Sequence, residues 1–223
     1  MIKRILSAAA LLTSVTLVGQ EVKIKESSES FSSGSHNAFN FTVFVSDVNK
    51  VQKEWKSKMK DFGYSDSKDK GSEQVFDNVK FKDLSNNPMD VHAKFEELKD
   101  EKAVRMYVAY DMGGAYLNSG SHGKEADYMK KMMKEFAIKT SKDFVEDQWK
   151  AENKALTKLQ DKQKDLEKDN KDLDNDIKNY QDKIKKAQED IEKNKKEIET
   201  KKTEIEAQKK VTDEVKKKLD SIK

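Results

Sequence analysis

The feature that most constrains this chain is its last hundred residues, 124–223, which contain neither glycine nor proline. Their apolar residues recur at spacings of three and four almost to the end, which is the period of one face of an α-helix. Because glycine and proline are the residues that most often mark the end of a helix, the sequence predicts one long, unbroken helix here. A compact core must therefore come mainly from the part of the chain that precedes it.

From Trp149 onward the apolar residues keep a strict seven-residue repeat, with Trp149 at position a. A repeat sustained over about ten heptads is typical of a left-handed coiled coil, and isoleucine at a favours two strands. The sequence therefore predicts a coiled-coil rod over 149–223 and, most simply, a homodimer. The residues predicted to form the oligomer seam are Leu159, Leu166, Leu173, Ile177, Ile184, Ile191, Ile198 and Ile205.

The charges beside the seam favour a parallel dimer, because each g residue then faces the next e residue of the partner. The favourable pairs are Asp190 with Lys195, Glu197 with Lys202 and Glu204 with Lys209. A parallel trimer is the next alternative. A lone helix held by glutamate-to-lysine pairs four residues apart, such as Glu189 with Lys193, is another, as is a hairpin folded back near 169–176.

The start of the chain predicts export. Lys3 and Arg4 precede an apolar run of about 14 residues, shorter than the roughly 20 that a membrane helix needs, and Gly19 marks a plausible cleavage point. We expect residues 1–20 to be a signal peptide, an uncleaved N-terminal anchor being the alternative. The short, lysine-led signal suits a bacterium, with the mature protein in the periplasm, at the cell surface or secreted, and with no integral membrane span after cleavage.

Charge and cysteine content restrict the partners. Loss of Lys3 and Arg4 lowers the formal net charge from +3 to +1, and Arg105 is then the single arginine left, so a nucleic-acid partner is not expected. The absence of cysteine excludes disulfides, thiolate metal sites and thiol nucleophiles. The three histidines are scattered without metal-ligand spacing, and His92 is expected at the surface. Neither a metal nor another cofactor is predicted.

The middle of the chain predicts a small mixed domain over 39–148, after a flexible lead-in at 21–38. Strands are indicated by alternating apolar residues near 39–45, 75–81, 89–95 and 104–110. An amphipathic helix is indicated over 48–62, capped by Ser46 or Asp47 and closed by Gly63, whereas 65–72 is expected to be a polar loop. The core side of the long helix is predicted to be Met129, Met132, Met133, Phe136, Phe144 and Trp149.

The predicted fold class is therefore α+β, a small and mostly antiparallel sheet with one amphipathic helix, followed by a long C-terminal α-helix and coiled coil. One stretch has the composition of a ligand-binding loop: the glycine-rich segment 111–124, which leads into the long helix. Backbone amides at such a position can hold an anion, which makes Gly120, Ser121, Gly123 and Lys124 a candidate anion or ligand loop. The phosphate-binding P-loop pattern fails, and no catalytic residue is predicted.

Three functions follow from these patterns. The first is an exported, non-enzymatic cell-envelope protein with a small binding or docking head on an oligomerising stalk, its envelope partner unknown. The second is an ATP-independent periplasmic chaperone, a holdase with helical arms that bind a client. Its layout of export signal, small β-containing body and lysine-rich helix is similar to that of the Skp/OmpH family, whose helices return to the body, whereas no returning strand follows this helix. The third is a small-ligand or anion binder, or an enzyme, that uses the 111–124 loop.

Overall fold

The structure, a computed structural model, describes residues 21–221, so the signal peptide predicted for 1–20 lies outside the described residues. The elements along the chain are β1 (Lys25–Phe31), β2 (Gly34–Val43), α1 (Val48–Phe62), β3 (Asp66–Lys70), β4 (Glu73–Val79), β5 (Met89–Leu98), β6 (Ala103–Asp111) and α2 (Gly123–Asp220). The six strands form one sheet in the order β1-β2-β6-β5-β4-β3, and every neighbouring pair is antiparallel. The predicted α+β class is confirmed.

The centre of the sheet is the hairpin that the alternating residues predicted. β5 and β6 pair along their whole length, with Ala93 opposite Val108 and Phe95 opposite Met106. These four side chains are buried on the same face, because successive residues of a strand point to opposite sides. One side of the sheet is therefore apolar and needs a cover.

Helix α1 covers part of that face and has the boundaries that its end signals indicate. The Asp47 side chain accepts hydrogen bonds from the backbone N–H groups of Asn49 and Lys50, at 2.9 and 3.3 Å, which satisfies two of the free donors at the helix start. Gly63 ends the helix with a φ of 70°, a conformation that glycine adopts without steric cost. The buried stripe of α1 is Val51, Trp55 and Met59.

The first turns of α2 supply the rest of the cover. Their buried residues are Ala126, Met129, Met132, Met133, Phe136, Ala137 and Thr140, so the predicted methionine-rich core side is confirmed as far as Phe136. Phe144 is only partly buried, and Trp149 is 62% exposed, which corrects the prediction that Trp149 belongs to the core. The two helices meet where the Trp55 and Phe136 rings pack edge to face at 4.9 Å.

The N-terminal segment differs from its prediction. The lead-in expected at 21–38 instead contains β1 and the first half of β2, paired from Lys25 opposite Asn40 to Phe31 opposite Gly34. Its serine-rich sequence has no apolar alternation to signal a strand, because β1 lies at the sheet edge and buries few side chains. Backbone pairing with β2, rather than local propensity, makes this segment a strand.

The polar loop expected at 65–72 is also corrected. Residues Asp66–Lys70 form the opposite edge strand, β3, and a turn at Gly71 with φ of 64° joins it to β4. Every residue of β3 is charged or polar, which is what an edge strand needs in order to resist pairing with other molecules. The same composition makes an edge strand look like a loop in the sequence.

Residues up to Ala151 and residues from Glu152 onward form two separate units of the chain. The second unit consists of the rest of α2, and each of its described residues is exposed. Within 21–221, neither helix has a stretch both long and apolar enough to cross a membrane.

Candidate functional site

The first candidate surface is the seam of α2. Its apolar side chains between Leu156 and Leu219 are 52% to 68% exposed. The members of this stripe at heptad positions a and d include all eight predicted seam residues, Leu159, Leu166, Leu173, Ile177, Ile184, Ile191, Ile198 and Ile205. In a coiled coil, the partner helix covers such a stripe of large apolar side chains and takes it out of water.

The ion pairs along this part of α2 differ from those expected for a lone helix. The pairs observed there join residues three apart, Glu192 with Lys195, Glu199 with Lys202, and Lys201 with Glu204, at 2.6 to 2.8 Å. The expected Glu189–Lys193 pair is not among the ion pairs found in residues 21–221. All of these groups are exposed, and such pairs contribute about 0.3 to 0.5 kcal/mol each. They stabilise the helix slightly and leave the apolar stripe uncovered.

The second candidate surface is the open face of the sheet, the side away from α1 and α2. The register places Asn40, Tyr107 and Lys94 side by side across β2, β6 and β5, with Arg105 beside Glu96 in the next row. Tyr107 donates a hydrogen bond to Glu96 Oε2 at 2.9 Å. Partial burial and the Glu96 carboxylate raise the pKa of Tyr107, so the hydroxyl stays a proton donor at neutral pH.

A polar cleft of about 560 Å³ opens on this face. Its lining residues are Glu21, Lys23, Lys25, Ser27, Ser28, Glu29, Asn40, Phe41, Thr42, Phe44, Glu101, Arg105 and Tyr107. Charges of both signs are interspersed with amide, hydroxyl and aromatic groups. The cleft therefore offers many hydrogen bonds without a strong net field.

The tip of the β1–β2 hairpin bends over the open face. The Ser32 N–H donates to Glu73 Oε2 at 2.8 Å, and Lys94 Nζ donates to Glu29 Oε1 at 2.6 Å. These contacts join β1 and the turn after it to β4 and β5, although β2 and β6 lie between β1 and β5 in the sheet. Burial alone would raise the pKa of the Glu73 carboxyl, but hydrogen bonds from Ser32 and His92 lower it below its ordinary value.

Under this tip lies a cluster of rings. His36 stacks on Tyr116 with centroids 3.8 Å apart, and His92 lies 6.4 Å from His36 and 6.0 Å from Phe31. His92 is buried, at 8% exposure, with Nδ1 3.3 Å from Glu73 Oε1, which corrects the expectation of a surface position. The fold thus brings together two histidines that sequence spacing separates. Within 21–221, however, no three His, Asp or Glu side chains are arranged to hold a metal ion.

The structure places the candidate anion loop just before α2, which begins at Gly123. Of the four candidate residues, Ser121 donates its N–H to Asn118 Oδ1 at 2.9 Å. Just before them in the chain, the Ser119 N–H donates to Glu26 Oε2 at 3.1 Å, so an internal carboxylate lies next to the candidate loop. Anion binding by Gly120, Ser121, Gly123 and Lys124 stays a prediction.

Glu26 is the most strongly held carboxylate in this region. It accepts hydrogen bonds from both the N–H and the hydroxyl of Ser119 and forms an ion pair with Lys130 at 3.0 Å. Partial burial by itself would raise the pKa of Glu26, but the Ser119 hydrogen bonds and Lys130 outweigh it and lower the pKa from 4.5 to about 2. Glu26 therefore ties β1 to the loop before α2 and to α2 itself.

The Glu26→Gln variant is expected to be less stable than the unmodified protein at pH 7, by an amount that shrinks in acid. A carboxyl whose pKa is lowered on folding stabilises the protein above its unfolded pKa of 4.5, and that stability is lost as the pH falls toward about 2. Urea unfolding at a series of pH values from about 7 to 2 measures this. Glu97→Gln, at an exposed position of β5, is the control. If the difference in unfolding free energy between Glu26→Gln and the unmodified protein stayed constant with pH, the lowered pKa of Glu26 would be contradicted.

Taken together, the chain is an α+β protein with a polar, ring-lined open sheet face and a separate helical unit that carries an exposed heptad stripe. Comparisons with protein-family models, with curated proteins and with solved structures found no match for it. Its function is therefore argued from its own residues.

Proposed function

We propose that this is an exported, non-enzymatic cell-envelope protein in which α2 pairs with a second copy as a parallel, two-stranded coiled coil. The head, residues 21–151, then serves as the binding or docking module. The observation that carries the proposal is the exposed seam, whose leucines and isoleucines repeat every seven residues and remain more than half exposed in the single chain. The open-face cleft supports the binding role of the head, since it gathers donors, acceptors and an aromatic ring in one concavity.

The free energy available from the seam is large enough for association. Burying a leucine or isoleucine side chain completely contributes about 1.5 to 3 kcal/mol, and roughly half of that remains when the side chain is already half covered. Sixteen seam side chains, eight from each chain, would then contribute on the order of 16 kcal/mol. This gain exceeds the cost of the lost translational and rotational freedom, which is about 4 to 15 kcal/mol.

The partner's charges support the parallel orientation. Lys195 and Lys202 lie at e positions, where the g residues Asp190 and Glu197 of a parallel partner would approach them. In the single chain these lysines bind only exposed glutamates of their own helix, so little is lost when they change partner.

A holdase remains the second candidate, supported by the same exposed stripe and the many lysines beside it. The two candidates differ in what covers the stripe, a second copy in the first and an unfolded client in the second. A client-binding seam must stay accessible, whereas a dimer seam is occupied before any client arrives.

Sedimentation of the full chain distinguishes them. We expect a species of twice the chain mass at low micromolar concentration, and no suppression of aggregation of an unfolded client at stoichiometric ratio. A monomer at high micromolar concentration would overturn the dimer. If that monomer also suppressed client aggregation, the holdase would replace the proposed function.

A further inference from the structure

The heptad repeat of α2 does not begin where the head ends. Counting back from Trp149 at position a places Val145 and Ile138 at two successive d positions. Both residues belong to the head, and both lie in the continuous helix that starts at Gly123. The seam pattern therefore extends into the head as far back as Ile138.

Two different faces of α2 are involved in this stretch. Met133, Ala137 and Thr140 are buried against the rest of the head. At 100° per residue, Ile138 and Val145 lie about 120° around the helix from the centre of the face that those three residues form. The head's core therefore leaves Val145 exposed on the seam side of the helix, whereas Ile138 is partly buried against that core.

On that seam side the head has an open apolar groove of about 530 Å³. Its lining residues are Val22, Phe44, Ile138, Ser141, Lys142, Val145, Glu146 and Trp149. Val145 and Trp149 are 56% and 62% exposed, and both belong to the heptad stripe. The Phe44 N–H donates to Ser141 Oγ at 2.9 Å, which fixes Phe44 as one wall of the groove beside the helix.

We propose that residues 138–149 of a second copy fill this groove, so that the dimer seam begins inside the head at Ile138. This inference rests on the proposed function, because it extends the same parallel interface. It commits to a second copy because the groove's exposed residues keep the phase of the seam, which a different partner would have no reason to match. The flanking g and e positions fit as well: Ser141 would face Glu146 of the partner and Gln148 would face Asn153, so no like charges oppose one another at these positions. The like charges that do meet are the two Lys142 side chains, at an a layer.

The lysine in this stretch is consistent with the arrangement. Lys142 occupies an a position between Ile138 and Val145. A single lysine at a lowers coiled-coil stability but helps to specify register and the number of strands. The two heads would therefore be held side by side in a fixed register. The assembly would present two open-face clefts, one from each head.

Cysteine cross-linking of the full chain tests this directly, since the natural sequence has no cysteine. Val145→Cys and Leu173→Cys lie at the same d position four heptads apart, whereas Asp143→Cys lies on the helix at a b position. Val145 is exposed in the single chain, so its replacement leaves the fold intact. Because a disulfide needs Cβ atoms only about 4 Å apart, we expect Val145→Cys to form covalent dimers at least about tenfold faster than Asp143→Cys.

The outcomes separate this inference from the proposed function. Fast cross-linking of Leu173→Cys with slow cross-linking of Val145→Cys would overturn the head contact and leave the dimeric rod in place. Slow cross-linking of both would overturn the dimer as well. Cross-links that form only when the two variants are mixed would show an antiparallel pair, which also overturns the proposal.

Discussion

Replacing Ile184 and Ile191 together by aspartate is expected to convert the proposed dimer into a monomer. Both side chains lie at a positions and are 58% and 53% exposed in the single chain, so their substitution removes nothing from the head. In a dimer the change removes four isoleucines from the seam, worth on the order of 4 kcal/mol at the half-covered value used above, and it also places four carboxylates there, which adds a desolvation cost. A loss of about 4 kcal/mol by itself weakens association by about three powers of ten.

The matched control is Asn179→Asp combined with Thr200→Asp. Both positions are exposed and lie at c, away from the seam, so this variant has the same added charge without the lost burial. Sedimentation should show the control as a dimer and the seam variant as a monomer at about ten micromolar. A seam variant that remains dimeric would show that the interface lies elsewhere on the molecule.

The Trp55→Ala variant is expected to lower the free energy of unfolding of the head by about 3 to 5 kcal/mol. Trp55 is completely buried between the sheet and α2, where it packs edge to face on Phe136. Its removal leaves a large cavity in a close-packed core. This loss is at least about a fifth of the total stability of an ordinary domain, which is about 5 to 15 kcal/mol.

The chain supplies its own control, because its other tryptophan, Trp149, is 62% exposed. Trp149→Ala should change the stability of the head by less than about 0.5 kcal/mol. Both variants are best compared in the background of Ile184→Asp and Ile191→Asp, so that association does not contribute. Urea unfolding followed by near-ultraviolet circular dichroism of the head's tyrosines gives the difference. If Trp55→Ala and Trp149→Ala lowered the free energy of unfolding equally, the placement of Trp55 in the core and of Trp149 outside it would be contradicted.

Trp55→Phe should be far milder than Trp55→Ala. The indole Nε1 is buried and has no hydrogen-bond partner among the described residues, so phenylalanine removes an unsatisfied donor while keeping most of the ring. The aromatic contact with Phe136 is then retained in part. The comparison separates loss of packing from loss of the polar group.

The elements that could be predicted from the sequence are those whose signals are local. Helix α1 has a capping aspartate, an apolar stripe and a closing glycine within 17 residues, and all three act where they were expected. The hairpin of β5 and β6 has strict alternation because one of its faces is buried. The long helix follows from the absence of any residue that would break it.

The edge strands and the open face could not be predicted in this way. β1 and β3 are polar, and they are strands only because β2 and β4 supply backbone partners. The burial of His92 depends on a hairpin tip that bends across the sheet to reach Glu73, 41 residues away from Ser32. Contacts between residues so far apart in the chain produce no periodic pattern of apolar residues in the sequence.

The sequence by itself determined the long helix, its heptad phase and the capped helix α1, because each depends on neighbours within one or two turns. Only the tertiary structure decided the sheet order, the polar cleft, the ring cluster around His36 and the contacts of Glu26 with Ser119 and Lys130. Those features are made by residues that meet through strand pairing and packing, and the free energy that brings them together belongs to the whole head rather than to any one segment.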